Sequence, residues 1–168
     1  MLPENGQQQE ASLQTGYTRA QIAIHWAVAV LIIANYFISE GMGDVLDKKL
    51  GGEAVANPWH VWVGLAVLAL VVLRLIVRYA AGAPAAAGVP GSLTQRLAGW
   101  GHALLYVLMI SVPLGGAIVW FGGVDALGQG HVLAGNALMI LVAGHAIMGL
   151  YHQYVVKDGA LLRMMRPR

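Results

Sequence analysis

HVLAGNALMILVAGHAIMGLYH, residues His131 to His152, is an apolar segment that carries three of the chain's six histidines. The first two are 145 − 131 = 14 residues apart. In a helix that is a rise of ~21 Å and close to four whole turns, so both imidazoles project from nearly one face. Two histidines on one face at that spacing mark two levels within a membrane.

The composition agrees with a membrane setting. The chain has 168 residues, 58% hydrophobic and 11% charged, which is not the balance of a soluble domain. Four apolar spans stand out, roughly residues 20–39, 59–79, 97–121 and 132–156, each meeting the ~20 residues that a crossing helix needs. Arg19, Arg74, Arg78, Arg96, Lys157, Arg163, Arg166 and Arg168 lie at span ends belonging to one side, and only Lys48 and Lys49 lie on the other. The positive-inside rule then makes both termini cytoplasmic and turns residues 40–58 and 122–130 outward. The expected architecture is all-α, a four-helix transmembrane bundle of up-down topology.

Residues 1–18 form a polar, Gln-rich tail, expected to be disordered and without the charged start of a signal peptide, so the spans themselves act as the targeting signal. Residues 19–158 hold the four-span domain and 159–168 a basic cytoplasmic tail. The net charge of +2 sits at span ends, which points to membrane lipid and not to nucleic acid. There is no cysteine, which excludes disulfides, thiolate metal sites and covalently attached c-type haem. Pro113, in ISVPLGG (110–116), predicts a kink in the third span. Gly64, Gly135, Gly144 and Gly149 leave two readings open, close helix packing or room for a flat ligand.

Depth sorts the histidines. His60 and His131 open their spans at the outer surface and share a level. His25 lies 15 residues inward from Glu40, ~22 Å, and His145 lies ~21 Å inward from His131. They share a second level. Two imidazole pairs, each drawn from two helices, meet what two six-coordinate b-type haems require of a protein, with irons ~20 Å apart. Zinc fits less well, because neither pair offers further ligands and no carboxylate lies at the depth of His25 and His145.

His102 and His152 count to the cytoplasmic edge, ~27 Å inward from Trp120 and ~31 Å from His131. Two readings stay open for them: interfacial histidines bonded to water or lipid phosphate, or a quinone pocket, since imidazole can hold a quinone carbonyl and exchange a proton near neutral pH. Either could also replace an inner-haem ligand. Arg74 and Arg78 are four apart on one face, as membrane anchors or as partners of haem propionates. Trp59, Trp62, Trp100 and Trp120 read as an aromatic belt. Lys48 and Lys49 read as solvated cations, with attraction of an anion as the alternative.

These residues resemble the bacterial cytochrome b561 family. The resemblance lies in YTRAQIAIHW (17–26), His60 with Gly64, VLRLIVR (72–78), HALLY (102–106), SVPLGG (111–116), His131 to His152, and KDGALLRMM (157–165). It covers the chain from about Tyr17 onward and implies a four-helix protein of the bacterial inner membrane with two haem b groups. The 14-residue spacing in the last span is similar to that of cytochrome b subunits of membrane formate dehydrogenases and hydrogenases, which carry electrons between a periplasmic partner and quinone. The closing LLRMM looks most like the superoxide oxidase branch, which passes electrons from periplasmic superoxide to ubiquinone. The resemblance thus implies two alternatives, a superoxide:ubiquinone oxidoreductase or an anchor and electron conduit for a periplasmic dehydrogenase.

Overall fold

The computed structural model describes residues 16–82, 84 and 91–167. It contains five α-helices: α1 (Arg19–Phe37), α2 (Met42–Leu50), α3 (Trp59–Ala81), α4 (Leu93–Gly122) and α5 (Gly128–Tyr151). Four of them, α1, α3, α4 and α5 with its flanking turns, are long and apolar enough to cross a membrane. No strand occurs among the described residues. The four-helix architecture expected from the sequence is the one found.

Local chemistry explains where the helices begin. Thr18 caps α1 in a reciprocal box: its hydroxyl accepts from the Gln21 amide at 3.2 Å, and its own amide donates to Gln21 Oε1 at 2.8 Å. The expected tail therefore gives way to a helix cap at its last residue, while residues 1–15 lie outside the described residues. Gln21 also donates from Nε2 to the Gly82 carbonyl at 2.7 Å, tying the start of α1 to the end of α3. α4 starts four residues before the expected span because Ser92 caps the Gln95 amide at 3.2 Å. Its first turn is polar, so hydropathy alone finds the helix late.

Two connections differ from expectation. The connection 40–58, between the first two spans, contains the short helix α2, entered through Gly41 at φ 77°, a left-handed turn that glycine adopts without cost from a side chain. The outer turn 122–130 is shorter than expected, because a single 3₁₀ turn at Asp125–Leu127 leads directly into α5 at Gly128.

Around the bundle α1 packs on α3, α3 on α4 and α4 on α5, while the seam between α5 and α1 is sparse. The core is built from residues four apart, which stack on one helix face: Val28 and Ile32, Val67 and Val71, Leu105 and Met109, joined by Leu138. Leu138 is the one buried residue of α5. Most large apolar side chains point outward, Phe37, Leu97, Leu133 and Ile140 among them, as expected where the surrounding solvent is hydrocarbon. A Cβ added at Gly135, Gly144 or Gly149 would meet nothing within 4 Å. These glycines do not serve close helix packing, whereas Gly64 faces the Asn35 side chain at 3.6 Å.

Candidate functional site

At the outer level α3 and α5 bring His60 and His131 together, with ring centres 6.0 Å apart and planes at 79°. Each ring is fixed from behind by a backbone carbonyl of another helix. His60 Nδ1 lies 3.1 Å from the Asn35 carbonyl, one of the carbonyls in the last turn of α1, which the helix itself leaves unpaired. His131 Nδ1 lies 3.0 Å from the Val112 carbonyl, immediately before Pro113. A carbonyl can only accept, so Nδ1 carries the proton in both rings and Nε2 presents its lone pair. Gly116 makes room for the second ring, since a Cβ there would come within 2.8 Å of His131 Cε1.

One turn beyond Gly116, Trp120 is only 3% exposed, unlike Trp59, Trp62 and Trp100, which face outward as a belt should. Its indole donates to Asn57 Oδ1 at 2.7 Å, and Lys49 Nζ stands 4.9 Å over the ring. Lys49, read from sequence as solvated, is thus engaged with an aromatic face.

At the inner level His25 of α1 and His145 of α5 have ring centres 6.3 Å apart with planes at 73°. They face each other across the sparse seam. The second neighbour of His145 is His102, at 5.1 Å, with its Nδ1 2.7 Å from the Ala98 carbonyl of its own helix. Counting inward from Trp120 put His102 a level lower. A 30-residue helix is ~45 Å long and must tilt in a ~30 Å core, so a straight count overstates depth. His25 Nδ1 and the Tyr106 hydroxyl are buried without a partner.

His152 is not brought to His102. Its Nδ1 lies 2.6 Å from Asp158 Oδ2. Burial works to raise the Asp158 carboxyl, but the Ala160 amide, the His152 ring and the Arg163 charge outweigh it and hold the group below the ordinary carboxylate value. Sequence reading missed Asp158, because six residues from a histidine and beyond a helix end correspond to no periodicity. Arg74 and Arg78 line a cleft with Tyr17, Gln21 and Met164. The Arg74 guanidinium lies 5.5 Å over the Tyr106 ring, and the Trp26 indole donates to the Met164 carbonyl at 2.9 Å, drawing the tail against α1.

Among the described residues no group of three or more His, Cys, Asp or Glu is placed to hold a metal. The histidines offer two ligands at a time, which suits a macrocycle that brings four of its own. His60 with His131 and His25 with His145 are the couples, each drawn from two helices, that would hold such a group, and His102 stands beside the second of them.

The family model described as "Prokaryotic cytochrome b561" matches residues 16–167. The chain is 43% identical over 158 residues to a protein of Cereibacter sphaeroides named "Cytochrome b562", covering 92% of this chain and 98% of the relative. It is 30% identical over 174 residues to "Probable superoxide oxidase CybB" of Yersinia pestis, covering 89% and 95%, respectively. With "Cytochrome b561 homolog 1" of Escherichia coli (strain K12) it shares 26% over 173 residues, covering 90% and 98%. The chain belongs to the prokaryotic cytochrome b561 family, multi-pass electron-transfer cytochromes of the bacterial inner membrane that bind haem b.

Proposed function

We propose that this cytochrome holds two haem b groups, one between His60 and His131 and one between His25 and His145, and carries electrons between a periplasmic donor and ubiquinone. The observation that carries this reading is the pair of imidazole couples at 6.0 and 6.3 Å on two levels of one bundle. Each haem when bound supplies a one-electron iron couple. The chain's own part is to fix the rings, with the Asn35 and Val112 carbonyls setting the outer tautomers. Arg74 has no carboxylate partner among the described residues and shares its cleft with Arg78, so a haem propionate is the anion that suits both. His102, beside His145, and His152, toward the inner end of α5, face the quinone. The excess of basic residues at the span ends supports a cytoplasmic side here, with both termini on it.

Superoxide is the donor we favour, on the likeness to the Yersinia pestis protein. One observation favours the second reading, an electron conduit for a periplasmic dehydrogenase: the outer side carries only Lys48 and Lys49, and Lys49 is already held over Trp120. That leaves little positive field to steer a small anion.

Histidine replacement tests the site. Each of His60→Ala and His131→Ala should lose one and the same haem by difference spectrum, and His25→Ala and His145→Ala the other, while His102→Ala keeps both. Loss of a haem in His102→Ala, or a parent protein with one haem per chain, would overturn the assignment. Mixing the holoprotein with superoxide and ubiquinone then separates the donors, since a conduit does not oxidise superoxide near the diffusion limit of ~10⁸–10⁹ M⁻¹s⁻¹.

A further inference from the structure

The chain takes an uncommon route to bring Asp158 onto a histidine six residues before it. α5 runs into a five-residue π turn, His152–Val156, and Lys157 then enters the left-handed region at φ 59°, the one positive φ outside glycine among the described residues. π turns and non-glycine residues in that region are both costly, and both gather at functional sites. Together they return the Asp158 carboxylate to the helix end. Oδ2 accepts from His152 Nδ1 at 2.6 Å and Oδ1 accepts from the Ala160 amide at 2.9 Å. The charged neighbour is Arg163, and Tyr151 lies edge-on to the ring at 6.0 Å. An ionised carboxylate can only accept, so the ring keeps a proton on Nδ1 and turns Nε2 away from Asp158.

We propose that Asp158 is a positioning residue that makes His152 the proton donor to quinone at the inner face. The inference rests on the quinone reading given above. Reduction of the quinone consumes two electrons, supplied singly by the periplasmic one-electron donor, and two protons, and yields the quinol. One proton leaves Nε2 of the His152 imidazolium as the N–H bond breaks and a quinone O–H bond forms. The neutral ring keeps Nδ1–H on Asp158 and regains a proton at Nε2 from cytoplasmic water, and the second quinone oxygen takes its proton from water. The carboxylate stabilises the charge on the ring before transfer and prevents it from presenting the wrong nitrogen, the part that an aspartate plays beside a histidine in acid–base catalysis.

The test uses reduced holoprotein mixed with ubiquinone-1, with haem reoxidation followed by stopped flow in water and in deuterium oxide. Asp158→Ala should slow reoxidation about tenfold or more, with haem content, difference spectrum and half-saturating quinone concentration unchanged. The solvent isotope effect should rise, and Asp158→Glu should restore most of the rate. His152→Ala should be equally slow, and the double variant no slower than either single one. Unchanged reoxidation in Asp158→Ala, additive losses in the double variant, or loss of haem would overturn the assignment and leave Asp158 as a helix-end fastener. If the parent protein is itself not reoxidised by ubiquinone-1, the quinone reading fails first. If the parent reacts and Asp158→Ala equals it, only the present inference fails.

Discussion

Gly116 and Gly115 are neighbours in sequence with opposite surroundings. A Cβ at Gly116 would press on His131 at 2.8 Å, whereas one at Gly115 would meet nothing within 4 Å. Gly116→Ala is therefore expected to displace the His131 ring from the Val112 carbonyl and, on the two-haem proposal, to lower haem from two per chain toward one, with an overpacking cost of ~1–3 kcal/mol. Gly115→Ala should keep both, and a haem assay on the two variants checks the contrast. Asp158 gives a pH dependence whose sign follows from its depressed carboxyl. A group ionising more readily when folded contributes stability above its unfolded value, near 3.8, and loses it as pH falls through the lower folded value. Asp158→Asn should thus melt below the parent near neutral pH, and the two melting curves should converge in acid. The pairs His60 with His131 and His25 with His145 could be counted from helical rise, but the nearer approach of His102 to His145 could not, because a straight count along the 30-residue α4 overstates depth. What stands behind each ring could not, since the Asn35 and Val112 carbonyls and the space at Gly116 depend on how helices turn toward one another.

Among the elements, α4 shows how a breaker serves a site. Pro113 lacks the amide that would bond the carbonyl four residues earlier, and the carbonyl just before it, that of Val112, is the one that holds His131. Pro113→Ala should restore the missing bond of the α4 ladder, draw that carbonyl off the ring and, on the two-haem proposal, shift the outer haem's midpoint potential while sparing the inner one. For one electron a shift of ~60 mV corresponds to a tenfold change in preference between oxidation states, well within reach of a redox titration. The four spans were legible from hydropathy because each is a long apolar run. α2 was not, for it is short and polar and is recognised by the left-handed Gly41 that starts it. The polar first turn of α4 was missed because hydropathy is blind to the cap at Ser92.

For the whole molecule, the basic residues at the span ends make a claim that a reporter can check. With both termini cytoplasmic, alkaline phosphatase fused after residue 168 should be inactive and a fluorescent protein there should shine, while phosphatase inserted in residues 51–57 should be active. The reverse pattern would turn the molecule over and exchange the two haem levels.

The sparse join between α1 and α5 bears on how the cytochrome is assembled. Its outer half is latched by the Tyr36 hydroxyl on Asn136 Oδ1 at 2.9 Å, while farther in His25 and His145 stand across it, the His25 Nδ1 buried and unpaired. If haem is loaded after the helices insert, this sparsely packed join is the side of the bundle that has least to part.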